Sequence, residues 1–366
     1  MERLRRWDPA IAHYGPSAFA FVDQYFKGSG RRVLFVGGAG FDPRTQAVAT
    51  QLHRTGVETR GCLVREIRPK PPLQEVETAD TNLQALRELN PHHDVLDVEI
   101  FGDDGAVIGG RNAIGAIATQ PMDEVTDIVL DLSALSVGTA FPIARYLVHG
   151  VCQSRPRLNL HVFVTHEPAL DAAIRSLPSD APGHVHGFRG ESTLDKTAGA
   201  AKLWLPQLEF GAGGSLARLF DFVQPHDTCP ILPFPSHDPR SGDRLAEEFL
   251  TELESTWMVD TRNVVYANEA DPLDLYRTIL RLDDLRRPVF EGAGGSMLVL
   301  SPIGSKVMAL GALMAALERN LPVAHLESIG YAPMGSMPAP AASGDLVHVW
   351  LEGDAYPDGR PPLFGS

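Results

Sequence analysis

Residues 298–306 read Leu-Val-Leu-Ser-Pro-Ile-Gly-Ser-Lys and lead into Val-Met-Ala-Leu-Gly-Ala-Leu-Met-Ala-Ala-Leu at 307–317. The pattern predicts an apolar strand, a small polar turn with one lysine, and an alanine- and leucine-rich helix. In an open α/β sheet, ligands bind beyond the carboxyl ends of the strands, and the first N–H groups of a helix favour an anion there. Ser305 as the cap and Lys306 as a point charge fit such a site. The alternative is a tight capped turn whose lysine is only solvated.

Composition describes a globular chain with room for two domains. The 366 residues are 44% hydrophobic and 21% charged, and a domain takes roughly 150 residues. Three widely spaced cysteines exclude a disulfide scaffold and give no metal-ligand spacing. The formal net charge of −14 argues against a protein that coats nucleic acid, because that binding depends on neutralising phosphates. A local pocket for a small phosphorylated ligand is still compatible with this charge.

No apolar run approaches the roughly 20 residues of a membrane span, and the basic start lacks the apolar core of a signal peptide. We therefore expect a cytoplasmic protein with no membrane partner.

The first half of the chain alternates predicted strands and helices. After a short helical lead-in (residues 1–30), strands are predicted at 32–37, 57–65, 95–101, 128–133 and 158–165, with helices at 45–55, 75–89 and 139–149. This alternation predicts parallel βαβ units with right-handed crossovers.

The second half repeats the same order. Strands are predicted at 203–207, 230–234, 264–267, 297–301 and 323–326, followed by a last strand at 346–351. In both halves the first strand leads into a glycine-rich turn, and the fourth ends in a serine and small residues. Pro206 either weakens its strand or places it at a sheet edge. We predict an α/β fold of two tandem Rossmann-like parallel-sheet domains, at 31–190 and 191–366; the alternative is a generic α/β chain whose spacings coincide.

Glycines after the first strand form a candidate ligand loop. Gly37, Gly38 and Gly40 let the backbone approach a ligand closely. The dinucleotide fingerprint is incomplete, because proline replaces its third glycine and Asp42 would lie near a bound phosphate. A nicotinamide dehydrogenase is therefore disfavoured. Arg44 is a candidate partner for an anion, although pairing with Asp42 is the favoured interpretation.

Motifs of several enzyme classes are not found. The sequence contains no P-loop, no nucleophile elbow and no zinc-protease motif. We expect no cofactor, no metal and no assignable catalytic residue, which leaves enzymatic activity undecided and disfavoured. Asp131 and Glu269, at strand ends, are the candidate acid/base carboxylates of an alternative enzyme. His161, on an apolar strand, is predicted to be a satisfied core histidine.

The turn from Ile303 to Lys306 resembles the signature turn of CARF domains, Rossmann-like sensors of CRISPR-linked cyclic oligonucleotides, where it typically reads Gly-Gly-Thr-Lys. Two such units in one chain look like the SAVED architecture of bacterial antiphage signalling, a fused CARF pair. The resemblance implies a sensor of cyclic nucleotides, held by the loops after the first and fourth strands. Departures from the pattern are Pro302 and the lack of a lysine at the matching turn of the first half.

The resulting hypothesis is a sensing or regulatory subunit of a bacterial defence or signalling system. It would bind a nucleotide-like small molecule and act with a partner effector protein. The candidate ligand-binding residues are Gly37, Gly38, Gly40, Arg44, Ser133, Ser136, Thr139, Arg240, Ser301, Gly304, Ser305 and Lys306. Since only the second half carries the lysine, we expect an asymmetric pocket. The alternatives are an enzyme acting on a nucleotide or sugar phosphate, and a scaffold subunit that docks through residues 332–343.

Overall fold

The structure, a computed structural model, describes residues 5–69, 71–190, 199–332, 345–356, 360 and 363. The chain divides into a first unit, Trp7–Leu177 with Ser328–Arg360, and a second unit that consists mainly of Pro178–Glu327. These bounds differ from the predicted 1–30, 31–190 and 191–366, because the chain returns to the first unit after residue 327. The proposed docking segment, apart from residue 332, lies outside the described residues.

The helices and strands have the following bounds. The α-helices are α1 Pro16–Phe26, α2 Ala47–Thr55, α3 Leu73–Leu89, α4 Gly109–Ala118, α5 Val137–Arg145, α6 Pro168–Ala173, α7 Gly213–Val223, α8 Ser241–Glu248, α9 Pro272–Phe290 and α10 Lys306–Arg319. The strands are β1 Ile11–Tyr14, β2 Arg32–Gly38, β3 Glu58–Ile67, β4 Asp94–Glu99, β5 Asp127–Asp131, β6 Asn159–His166, β7 Ser176–Pro178, β8 Gly183–His184, β9 Ala201–Pro206, β10 Asp227–Thr228, β11 Ile231–Pro233, β12 Val265–Ala267, β13 Ser296–Ser301, β14 Ala324–His325, β15 Ser328–Tyr331 and β16 Asp345–Glu352.

The first unit is built on a seven-stranded sheet with the order β1-β16-β6-β5-β2-β3-β4. Strands β2 to β6 are parallel, and β16 joins β6 antiparallel. Counted along the chain, this is the doubly wound order 3-2-1-4-5-6. Strands β2, β5 and β6 are buried along almost their whole length, as expected of parallel strands covered by helices on both faces. The predicted Rossmann-like α/β fold is confirmed.

The second unit repeats this strand order in a smaller sheet. Strands β10, β9 and β13 form a parallel sheet, and β11 pairs with β12 in parallel. Isolated bridges join Gln207 to Ile231 and Leu300 to Val323, and β14 pairs antiparallel with β8. The order is again 3-2-1-4-5-6, so the sequence repeat is a structural repeat. The strand β9 is central despite Pro206, because that proline is its last residue.

The two sheets take their sixth strands from different parts of the chain. The C-terminal strand β16, predicted within the second domain, pairs with β6 of the first sheet through partners such as Trp350 and His161. The second sheet instead uses β8, which precedes its own first strand. Seven of the eight residues of β16 are buried, a pattern that fits an interior strand of either sheet. The correct sheet is therefore decided by tertiary packing.

Three imidazoles form a hydrogen-bonded row inside the first unit. His13 Nδ1 lies 3.0 Å from His348 Nδ1, and His348 Nε2 lies 3.0 Å from His161 Nδ1. His161 Nε2 lies 3.2 Å from Asp127 Oδ1, a carboxylate that also accepts from Tyr25 and Arg31. A carboxylate only accepts hydrogen bonds, so His161 donates its Nε2–H to Asp127 and accepts at Nδ1 from His348. His348 in turn accepts at Nδ1 from His13. Each ring then needs only one N–H in this row, so all three fit the neutral form. His161 is thus a satisfied core histidine, as predicted.

We expect the rings of His161 and His348 to titrate below about pH 6.5, the pKa of an unperturbed histidine. Burial lowers the pKa of both rings, and the neighbouring histidines lower that of His348 further. The unfolded chain takes up protons near pH 6.5 that the folded chain does not, so this contribution to stability is complete above pH 6.5 and declines as the pH falls. Imidazole ¹⁵N chemical shifts measure the protonation directly. Rings that titrate at or above pH 6.5 would contradict the assignment.

Candidate functional site

The carboxyl edge of the first sheet brings together the candidate residues that follow β2 and β5. Gly37 and Gly38 end β2, and each lies close to another residue of the same unit. A Cβ on Gly38 would lie 2.8 Å from the carbonyl oxygen of Ala134, and one on Gly37 would lie 2.7 Å from the Phe35 ring. Gly40 has open space around its Cα, and its carbonyl accepts from Asn82 at 2.9 Å. The first two glycines are thus explained by close internal packing.

Arg44 forms a buried ion-pair network beside these glycines. The guanidinium is 2% exposed and donates to Asp42 at 2.7 Å and to Asp171 on α6 at 2.6 Å. Asp42 also caps the 3₁₀ turn Pro43–Gln46 by accepting from the backbone N–H of Arg44. The favoured pairing of Arg44 with Asp42 is confirmed. The arginine connects the turn after β2 to α6 within the first unit.

Glu66 places a carboxylate at the start of α5, where an anionic ligand was expected. Its Oε1 accepts from the backbone N–H of Ser136 at 3.0 Å and from the Ser136 hydroxyl at 2.8 Å. Arg68 donates to the other oxygen at 2.6 Å. Burial alone would raise the pKa of Glu66, but Arg68 and Ser136 hold it below its usual value. An internal anion therefore occupies this helix start, and the Ser136 hydroxyl also lies 3.2 Å from that of Thr139.

Asp131 ends β5 in an enclosed environment. Its Oδ1 accepts from the backbone N–H of Ser133 at 3.0 Å and from the Ser133 hydroxyl, which in turn accepts from the N–H of Thr165 at 2.8 Å. Its Oδ2 is buried without a partner among the described residues. Burial raises the pKa of Asp131 to about 7 against the lowering effect of Ser133. The carboxyl group is suited to hold a proton near neutral pH, but the residue is 1% exposed.

The second unit presents a different arrangement at the matching turn. Ser305 caps α10, its hydroxyl accepting from the N–H of Met308 at 3.4 Å, and Lys306 is the first helical residue. Gly304 has a φ of +81°, a conformation that favours glycine. These three residues are partly exposed. Ser301 is buried, and its hydroxyl accepts from Trp204 Nε1 at 2.9 Å, so it supports the turn from within.

A carboxylate that sequence reasoning missed lies at this turn as well. A Cβ on Gly304 would collide with Oε2 of Glu209, which follows β9. Near the same helix start, Gln207 Nε2 lies 3.5 Å from the carbonyl of Met308, and its buried Oε1 has no partner among the described residues. No local pattern identifies Glu209, because nearly one hundred residues separate it from the turn.

Arg240 lies at the same edge of the second sheet as the Gly304–Lys306 turn, on the loop that follows β11. Its backbone N–H donates to Asp238 at 3.0 Å, and the residue is exposed. Strand β9 separates β11 from β13. Asp243 is the third residue of the next helix, α8.

Further properties of the described residues limit the chemistry of the site. The cysteines Cys62, Cys152 and Cys229 are buried and form no disulfide with one another. Across the described ranges, His, Cys, Asp and Glu side chains form no group of three or more that could hold a metal ion. Every helix in this part of the chain is too short or too polar to cross a membrane.

Comparisons with known proteins give no family. No protein-family model and no curated protein matches the chain. Among the solved structures that resemble it weakly are two with a TM-score of 0.20: an uncharacterized protein from Listeria monocytogenes serotype 4b, 13% identical over 48% of this chain, and the GsuK channel bound to NAD, 12% identical over 79%. The matches cover 62% and 61% of those chains, so this chain spans about three fifths of their length. Neither likeness is close enough to carry a ligand or an activity to this protein.

Proposed function

We propose that the chain is a sensing or regulatory subunit that binds a nucleotide-like anion at the Gly304–Lys306 turn of the second unit. The observation that carries the proposal is the position of this turn. Strands β9 and β13 are neighbours at the point where the strand order 3-2-1-4-5-6 reverses, and ligands of doubly wound sheets bind at that point. The partly exposed turn joins β13 to α10, a helix of 14 residues.

The electrostatics of the turn suit an anion. The start of a helix carries a partial positive charge, and Lys306 adds a full one. Glu209 lies at the same turn, so a phosphate group would take the place of this carboxylate. The matching helix start in the first unit, at α5, is already occupied, because Glu66 is held there by Arg68 and Ser136. One ligand site per chain, on the second unit, agrees with the expected asymmetry.

The resemblance of the turn to CARF and SAVED sensors supports the finer part of the proposal. It favours a cyclic oligonucleotide as the ligand and a partner effector protein as the output. A role in a bacterial defence or signalling system rests on the same resemblance.

Thermal unfolding with a panel of cyclic oligonucleotides, mononucleotides and NAD tests the proposal. A ligand at about 100 times its dissociation constant adds about 2.7 kcal/mol of stability, so a cyclic oligonucleotide is expected to raise the melting temperature. The shift should vanish in Lys306→Ala and persist in Lys202→Ala. Lys202 is the matched control, since it lies near the amino end of β9 and donates to the carbonyl of Val223. A panel without any shift would overturn the proposal.

A scaffold subunit is the second candidate, and one observation favours it. A carboxylate lies at the start of the helix after the fourth strand in both units: Glu66 at α5 and Glu209 at the turn before α10. If these carboxylates are permanent internal ligands, neither wild type nor Glu209→Gln will bind any member of the panel. A shift in either protein excludes the pure scaffold.

A further inference from the structure

Two exposed aromatic side chains lie near the carboxyl edge of the second sheet. Phe234 directly follows β11 and is 55% exposed, and Tyr266 lies in β12 and is 57% exposed. Their ring centroids are 6.1 Å apart, and the ring planes meet at 77°. This edge-to-face contact is a favourable one, and it leaves at least one face of each ring clear of the other ring. The two residues form an aromatic pair that is open to solvent.

The place of the aromatic pair in the fold distinguishes it from other exposed apolar residues. Tyr266 lies between Val265 and Ala267, which are both buried, and among the described strands β12 has β11 as its one neighbour. A single exposed apolar side chain is ordinary. Here two aromatic rings contact each other at the edge where ligands of doubly wound sheets bind. The position of the pair therefore indicates a binding role.

The aromatic pair shares this edge with the Gly304–Lys306 turn. The strands follow one another in the order β12, β11, β9 and β13, and neighbouring strands are about 4.8 Å apart. The end of β11 is thus about 10 Å from the end of β13, two strand spacings away. In a nucleotide the ribose separates the phosphate from the base. An oligonucleotide with one phosphate at the turn can therefore place a base over the pair.

Charges near the aromatic pair favour an uncharged ring over a second phosphate. Glu269, on the loop after β12, accepts from the backbone N–H of His237 at 2.8 Å. Asp238, on the loop after β11, pairs with Arg244. Carboxylates on both loops repel an anion at short range, whereas they do not repel a neutral base. This end of the edge suits the base of a nucleotide, and the turn suits its phosphate.

We propose that Phe234 and Tyr266 form a stacking platform for a nucleobase of the ligand whose phosphate binds at the Gly304–Lys306 turn. The inference rests on the function proposed above and adds a contact with the base to the contact with the phosphate. Stacking on an aromatic ring tolerates every base. The platform therefore contributes affinity for oligonucleotides and little selectivity among bases.

Calorimetric titration of the full chain with cyclic tetra-adenylate tests the platform. In Phe234→Leu the affinity should fall about tenfold, the effect of one lost stacking contact. The loss should be the same at low and high salt, because stacking is not screened, whereas the loss in Lys306→Ala should shrink as salt rises. The melting temperature of Phe234→Leu without ligand should match that of wild type, since the side chain is exposed.

Two further variants separate stacking from a general effect of the substitution. Phe234→Trp keeps an aromatic face and should retain the affinity of wild type. Phe222→Leu removes a ring that is 37% exposed near the end of α7, where the chain has returned to the amino edge of the sheet, and it should also leave the affinity unchanged.

The outcomes distinguish this inference from the proposed function. Equal affinities of wild type and Phe234→Leu, with binding still lost in Lys306→Ala, would overturn the platform alone and leave the aromatic pair as a surface for a protein partner. A loss in Phe234→Trp as large as that in Phe234→Leu would also overturn it. If cyclic tetra-adenylate does not bind wild type, the platform falls together with the proposed ligand class.

Discussion

Replacement of Arg44 with methionine is expected to lower the free energy of unfolding of the first unit by about 3–5 kcal/mol, the typical cost of removing one partner from a buried ion pair. The guanidinium is 2% exposed and donates to both Asp42 and Asp171. Methionine fills much of the same volume but leaves these two carboxylates without their cation. Amide hydrogen exchange in β2 and β6 measures the effect within this unit, where a global melting curve would mix both units.

The matched control is Arg65→Met, in the same unit. Arg65 pairs with Asp97 at 2.7 Å, but its side chain is 39% exposed, and exposed pairs contribute little because solvent screens them. The control should leave the exchange rates nearly unchanged. If Arg44→Met behaves like the control, the network does not hold the turn after β2 to α6, and Arg44 becomes a candidate ligand residue again.

Neutralising Glu209 is expected to raise the affinity of the second unit for an anionic nucleotide about tenfold. The carboxylate lies at the Gly304–Lys306 turn, so it repels an incoming phosphate and competes for the same helix start. Removal of a like charge at close range is worth on the order of 1–2 kcal/mol after screening at a partly exposed site. The measurement is a calorimetric titration of Glu209→Gln at low and high salt, and the gain should shrink as salt rises.

Glu254→Gln makes the same change of charge at an exposed residue of the π-helical turn Glu252–Thr256, and it should leave the affinity unchanged. Equal affinities of Glu209→Gln and wild type would show that Glu209 does not compete with the ligand. A lower affinity in Glu209→Gln would assign the carboxylate to ligand binding instead.

Local patterns in the sequence were sufficient for the fold class and for most elements. The helix predicted at 75–89 begins two residues earlier in the structure, and the strand predicted at 32–37 is longer by one residue. In contrast, α4 begins with two glycines, which are poor helix formers, and it was not predicted. The helix α9 continues past Pro288 to Phe290, although proline is disfavoured inside a helix.

Long-range pairings could not be predicted. The Ser305 cap and the pairing of Arg44 with Asp42 involve residues that are close in sequence, so local reasoning identified both. The bond from Ser136 to Glu66 spans 70 residues, and no local pattern specifies such a partner. The same limit explains why β16 was assigned to the second domain. Its apolar pattern indicates that β16 is buried. The sheet that it joins is decided by contacts with residues that are distant in the sequence.

Calorimetric titration of the full chain with cyclic tetra-adenylate is the sharpest test of an anion site at the Gly304–Lys306 turn. We expect saturable binding with one site per chain, because Glu66 already occupies the matching helix start of the first unit and the Gly304–Lys306 turn belongs to the second unit. Binding should be lost in Lys306→Ala and retained in Lys202→Ala. If this ligand and other cyclic oligonucleotides fail to bind, or if binding is unchanged in Lys306→Ala, the turn is not a cyclic-nucleotide site.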